Sequence, residues 1–329
     1  MQAIVHTQYG SPDVLQLQTV AQPIPDAGEV LVQVHAVAAN PLDWHLMRGA
    51  PFLARFDNGL FKPKKNILGA DIAGVVAAVG RDVTRFQPGD AVFGELSSSG
   101  LGGFAEYACA PEAMLVPKPT NLSFAQAAAV PVAALTALQG LRDKGQIRAG
   151  QKVLINGASG GVGTFAVQIA KFYGAEVTGI CSTRNLELVR GIGADHVIDY
   201  TQADFTRGPQ QYDLIFDAIA NYRAGEIRRV LTPQGKGVLV GFSTMSHMVG
   251  FLLAGAWISR GSDLEIGMMG TATPNQPDLS LLQELLAAGN IVPVIDRRYP
   301  LSETAEAIRY LETGRARGKV IITVVEDAT

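Results

Sequence analysis

The stretch "NGASGGVGTFAVQIAK", residues 156–171, decides how the rest of the chain is read. Glycines at 157, 160, 161 and 163 separate the apolar run "KVLIN" from an apolar segment of helical length. Glycine permits a tight turn and lets backbone come close to a ligand. A helix N-terminus adds free N–H groups and the positive end of a dipole. A glycine turn between a strand and a helix therefore reads as a pyrophosphate cradle, with the last glycine letting helix pack on strand. Ser159, Gly160, Gly161 and Val162 are the residues expected to hold the phosphates, with the helix starting near Val162.

Outward from this turn the pattern repeats. "EVTGI", "HVIDY", "YDLIFDAI" and "GKGVLVGF" read as strands, and "NLELVRGIG" as a helix. Such strands, apolar on both faces, imply a parallel, doubly wound sheet covered by helices. Ligands bind at the carboxyl ends of these strands. Ala218 in "FDAIA", and Gly241 and Phe242 in "VGFST", are thus expected beside a nicotinamide. The second strand ends in "ICSTRN". A unit built for NAD places Asp or Glu there to bind ribose hydroxyls. A carboxylate would repel a 2′-phosphate, whereas a guanidinium attracts one. The missing acid therefore points to NADPH, with Ser182 and Arg184 on the phosphate and Tyr200 beside the adenine. The competing reading makes Arg184 a solvated residue opening the next helix.

The first third of the chain has a different texture. "EVLVQVHAVAAN", "DIAGVVAAVG", "DAVFGEL" and "FAEYACAP" read as short strands between turns such as "FQPGD". Ser123 caps a helical stretch that Pro131 breaks or kinks. The last third, with "LSLLQELLAAG", "LSETAEAIRYLETG" and "GKVIITVV", looks like a return to the first domain. The expected division is 1–122 with 262–329 as one domain and 123–261 as the dinucleotide domain. A chain of 329 residues is long enough for two cores. The net charge of −3 argues against nucleic acid or an anionic membrane as partner. Two cysteines are too few for a disulfide framework. No secretory signal is visible, and the most apolar run falls short of the ~18–20 residues that span a bilayer. The expectation is a cytoplasmic protein.

In their order and spacing, "VAANPLDWHLMRG", "LGADIAGVVAAVG", "FQPGDAVFG", "GGFAEYACAP", the glycine turn, "STRNLELVRGIGADHVIDY" and "ARGKVIITV" resemble the medium-chain dehydrogenase/reductases. The likeness is to the zinc-free quinone oxidoreductase and enone reductase branch and covers nearly the whole chain. It implies a GroES-like β-rich catalytic domain plus a Rossmann domain, with the substrate in the cleft between them, and a homodimer joined through Rossmann edge strands. It also implies that Thr136 touches the nicotinamide phosphate, with ordinary helix packing as the alternative. Where alcohol dehydrogenases of this superfamily carry a zinc-binding Cys, Asn40 stands; where they carry a His-Glu pair, Ala70 and Asp71 stand. Tetrahedral zinc needs Cys and His at defined spacing. No metal site is expected.

Without a Lewis acid an alkoxide is hard to stabilise. Hydride addition to the β-carbon of an enone asks less, since hydrogen-bond donors can stabilise the enolate oxygen. Quinones fit the same logic. Asn40 is a candidate donor to a carbonyl or the cofactor, and Asp43 could orient it or a water. Equally, Asp43 could merely cap a helix beginning at Pro41. Trp44 could line the pocket but reads rather as core; His45 could relay a proton, but a lone His beside a Trp reads rather as structural or exposed. Arg317 and Lys319 could reach the cofactor from the tail, but as residues of a charged turn they read rather as solvated. The leading expectation is an NADPH-dependent, metal-independent reductase of quinones or α,β-unsaturated carbonyls. A zinc alcohol dehydrogenase and a non-catalytic NADPH-binding protein are the alternatives.

Overall fold

The computed structural model describes residues 1–52, 54–241, 245–260 and 263–325. The chain forms two compact units. One comprises Met1–Val132, Pro274–Gly289 and Pro293–Thr329; the other comprises Ala133–Thr273 and Asn290–Val292.

The first unit is built on the strand Glu29–Ala39, whose valines alternate into the core because a strand places every second side chain on one face. Val30, Val32 and Val34 are fully buried. The strand pairs antiparallel with Asp71–Val79 along one edge. Its other edge takes Tyr107–Pro111 against the first half and Lys319–Thr323 against the second. Ala91–Glu95, Leu115–Pro117 and Ile295–Pro300 complete a seven-stranded sheet. The end of the chain thus closes a sheet begun near its start.

This register gathers four polar residues at one end of the sheet. Asn40 directly follows Glu29–Ala39, Asp71 opens the neighbouring strand opposite Ala38, and Glu95 closes the next strand opposite Asp71. Lys319 opens the strand on the other side, where Val320 lies opposite Ala39.

The second unit is a six-stranded parallel sheet. Its order is His196–Asp199, Glu176–Cys181, Lys152–Asn156, Tyr212–Asp217, Leu231–Leu239 and Glu265–Met268, the 3-2-1-4-5-6 order of a dinucleotide-binding fold. The helix Gly161–Phe172 follows the first of these strands in sequence.

Two expected boundaries shift. Residues 263–273 belong to the dinucleotide unit, because Glu265–Met268 pairs parallel to Leu231–Leu239 as the sixth strand. A four-residue strand in mixed sequence carries too little alternation to be seen. At the other junction the first unit runs on to Val132, whose N–H donates to Asp71. Ser123 caps the helix Phe124–Ala128 as expected, exchanging hydrogen bonds with Gln126. Pro131 then starts a fresh helix, Pro131–Gln139, as proline does comfortably at a first turn.

Candidate functional site

The glycine turn sits at the carboxyl end of Lys152–Asn156. Gly157 adopts φ +80°, a left-handed conformation that side chains disfavour. A Cβ on Gly163 would lie 2.0 Å from the Gly157 carbonyl oxygen, so only glycine lets the helix come this close to the turn. Gly160 is the N-cap, and Gly161 and Val162 open the helix, where N–H groups have no intrahelical acceptor. The free N–H groups of this helix start suit an anionic ligand.

Ser159 and Ser182, expected on different phosphates, share one partner. Asn185 Nδ2 donates to Ser159 Oγ at 2.9 Å and to Ser182 Oγ at 3.3 Å. Arg184 is exposed on the short turn Thr183–Asn185. An acid does stand nearby, one strand further on. Asp199 accepts from the Thr183 hydroxyl at 2.5 Å and from the Thr201 hydroxyl and N–H at 2.8 and 2.9 Å. The Thr183 hydroxyl, more than any other contact, holds the Asp199 carboxyl below its usual range. These bonds tie it to threonines rather than leave it at the end of the second strand.

The remaining expected residues lie around the same unit. Tyr200 is exposed, and its N–H donates to the Cys181 carbonyl. Ala218 follows the fourth strand, with its N–H on the Asn156 carbonyl. Gly241 is half-buried after the fifth strand, and Thr136 is half-buried on Pro131–Gln139. Phe242 lies outside the described residues. Sequence reading missed Asp217. Its buried carboxylate accepts from the Asn156 amide at 2.7 Å and from the N–H groups of Ile219 and Ala220, fixing the loop that carries Ala218.

The first unit holds a second constellation. Asn40 Nδ2 donates to the Ala38 carbonyl at 3.1 Å and to Asp71 Oδ2 at 2.9 Å. Both amide hydrogens are thereby engaged within the unit. Asn40 Oδ1 accepts from Lys319 Nζ at 2.6 Å, and the same ammonium lies 3.2 Å from Asp71 Oδ2. Asp71 Oδ1 accepts the Val132 N–H at 2.8 Å. Asp43 Oδ2 accepts the Asn40 N–H at 2.8 Å and Oδ1 the Gly69 N–H at 2.9 Å. Asp43 thus caps the helix Pro41–Arg48 and fixes the backbone of Asn40. Trp44 packs on the core and stacks on His45, whose Nδ1 contacts the Ala50 carbonyl.

Lys319 corrects an expectation. Read as solvated, it is only 3% exposed, because its strand pairs with the central one and turns the side chain into the cluster. A lysine is buried this deeply only when paired. Glu95 was not singled out at all, yet it too is buried, with Oε1 accepting the Ser97 N–H at 2.8 Å. Its Oε2 has no hydrogen-bond partner among the described residues. Burial pushes the Asp43 and Glu95 carboxyls up to about 7, against the pull of the Asn40 and Gly69 N–H groups on Asp43 and of Ser97, its side chain first, on Glu95. Burial also raises Asp71, opposed chiefly by the Lys319 ammonium. An alternating or periodic pattern cannot reveal such residues, since their partners lie on three different strands.

These residues do not fit a catalytic zinc. An ammonium stands among them, which would repel a dication, and the donors are an amide and carboxylates rather than thiolate and imidazole. Among the described residues no group of three or more His, Cys, Asp or Glu side chains is placed to hold a metal.

Comparison with known proteins agrees with this architecture. Residues 26–120 match the family described as "Alcohol dehydrogenase GroES-like domain", and residues 192–322 the one described as "Zinc-binding dehydrogenase". A 2-methylene-furan-3-one reductase of Solanum lycopersicum is 36% identical over 98% of this chain and 79% of its own length. An NADPH-dependent alkenal/one oxidoreductase, chloroplastic, of Arabidopsis thaliana is 35% identical with the same coverage. The solved structure of the quinone oxidoreductase from Coxiella burnetii superposes with a TM-score of 0.87 at 32% identity, covering 98% of this chain and 99% of that one. A GroES-like unit together with a Rossmann unit defines a two-domain dehydrogenase/reductase architecture. The chain belongs to the medium-chain dehydrogenase/reductase superfamily.

Two outcomes follow from the buried cluster. Lys319→Met leaves Asp71 buried without its counter-charge and lowers stability by about 3–5 kcal/mol. Adding Asp71→Asn recovers much of this in denaturant titrations; a double variant no more stable than the single one would contradict the pairing. Glu95 keeps its proton to a higher pH when folded than when unfolded. Its contribution to stability is therefore lost as pH rises from its ordinary 4.5 towards about 7, and is constant above. Glu95→Gln, which carries no such proton, gains stability relative to the wild type over that window, by on the order of 3 kcal/mol at pH 8. A gain that is the same at pH 4.5 and pH 8 would contradict it.

Proposed function

We propose that this chain is an NADPH-dependent, metal-independent oxidoreductase that transfers hydride to quinones or α,β-unsaturated carbonyls. The observation that carries the reading is the end of the second parallel strand. Hydroxyl and guanidinium donors, Ser182 and Arg184, stand there, and the neighbouring carboxylate is occupied by threonines. The named relatives, an alkenal/one oxidoreductase and a furanone reductase, act in the same sense.

When bound, NADPH supplies the hydride. The chain's own residues bind and orient. Ser159, Gly160, Gly161 and Val162 take the pyrophosphate; Ser182 and Arg184 take the 2′-phosphate. Tyr200 borders the adenine, and Thr136, Ala218 and Gly241 the nicotinamide end. In the first unit Asn40 and Asp43 form one rigid block with Asp71 and Lys319. Asp43 fixes the Asn40 backbone and Lys319 its side-chain oxygen. The role assigned to Asn40 is to hold this polar wall in shape, since its own donors are committed. The ammonium there supports zinc independence.

The proposal extends to a homodimer in the cytoplasm. No described helix is long and apolar enough to cross a membrane. The support for a dimer is the helix Met245–Ser259, which exposes Leu253 and Trp257. It packs on the edge strand Glu265–Met268, where Gly255 admits the Ile266 carbonyl. Sedimentation at twice the 34.8 kDa chain mass is expected; a monomer at micromolar concentration would remove this part.

Turnover tests the core of the proposal. Purified protein is expected to oxidise NADPH in preference to NADH with a small quinone or a simple enone, unchanged by EDTA. Arg184→Ala is expected to raise KM for NADPH by about tenfold and leave NADH unaffected. NADH preference in the wild type would overturn the phosphate assignment. EDTA sensitivity would overturn the metal-free one.

A further inference from the structure

Asn185 is 5% exposed, and no role in the chemistry has been assigned to it. It stands at the end of the turn Thr183–Asn185, after the second strand, yet its side chain reaches back to the glycine turn after the first. Its nitrogen donates to both Ser159 Oγ and Ser182 Oγ, while its Oδ1 has no hydrogen-bond partner among the described residues. An amide nitrogen donates only, and a serine hydroxyl carries one hydrogen and two lone pairs. Each contact therefore consumes a serine lone pair and leaves the serine hydrogen to be donated elsewhere. A hydroxyl that must donate away from Asn185 suits an anion. A hydroxyl free to rotate presents a lone pair part of the time, which a phosphate repels.

We propose that Asn185 is a positioning residue that sets both serine hydroxyls as donors, coupling the pyrophosphate cradle at Ser159 to the 2′-phosphate site at Ser182. It makes the chain's choice of NADPH over NADH depend on a side chain that touches neither phosphate. The inference rests on the dinucleotide reading given above and names a determinant of its specificity. Ser159 serves a pyrophosphate common to NADPH and NADH, whereas Ser182 serves a phosphate that only NADPH carries. Removing Asn185 therefore has an unequal effect on the two.

Equilibrium binding of NADPH and NADH, followed by nucleotide fluorescence without any acceptor, tests this. Asn185→Leu keeps the volume and loses the donors. It is expected to weaken NADPH by about tenfold and NADH by only about threefold. Asn185→Asp can only accept from the serines, turning both hydroxyls inward, and adds a repelling charge. It is expected to weaken NADPH by about a hundredfold. Ser182→Ala lowers NADPH affinity alone, and combining it with Asn185→Leu is expected to cost less than the product of the two effects. Retained NADH binding shows that each variant is folded at the site, and Asn185→Ala serves if the leucine variant does not fold.

An equal loss for both nucleotides, or multiplying losses in the double variant, would mean that Asn185 acts only as packing and would overturn the proposal. So would NADPH affinity unchanged in Asn185→Asp. A wild-type chain that binds no NADPH would instead overturn the cofactor reading itself, so the two failures are distinct.

Discussion

A buried ammonium sets the terms for the first unit. Lys319 lies among the carboxylate of Asp71, the amide oxygen of Asn40 and, through Asn40, Asp43. Removing charges from water is costly, and a buried pair holds only when hydrogen bonds satisfy what the Coulomb attraction leaves over. Here they do: Asn40 and Val132 supply Asp71, and Asn40 and Gly69 supply Asp43. The cluster therefore tolerates few alternatives. It also ties the end of the chain to its beginning, since Lys319 arrives on a strand that pairs with Glu29–Ala39.

The same residues set the chemistry that the GroES-like unit offers at this end of its sheet. An amide and a carboxylate hold the lysine there, and the positive charge at this end of the sheet is supplied by a side chain. An ammonium offers three hydrogen-bond donors and no vacant coordination position for a substrate oxygen. It can order a wall, but it cannot act as a Lewis acid.

In the second unit, order comes from donors rather than from charge pairing. Glycines bring backbone N–H groups to one place, and Asn185 connects two serines whose strands are adjacent in the sheet. Asp199 shows the complementary principle. Its carboxylate, at the end of the third parallel strand, is held ionised by the hydroxyls of Thr183 and Thr201.

The parallel sheet, its glycine turn and the missing acid after the second strand were legible in the sequence, because each is local. A strand, a turn and a helix lie within about thirty residues, and glycine spacing reports backbone geometry directly. The capping roles of Ser123 and Asp43 were legible for the same reason, as they act three residues away. The short strand Glu265–Met268 was not, since four residues carry little periodicity and its parallel pairing with Leu231–Leu239 is tertiary. Nor were Lys319, Glu95 and Asn185. A lysine in "RARGKV" reads as solvated until the register buries it, and an asparagine in "STRN" reads as a turn residue until the sheet sets it beside Ser159. The sequence by itself determined which backbone could form and which ligand charge it would welcome. Tertiary structure alone decided which polar groups lost their water, because burial depends on neighbours that are distant along the chain.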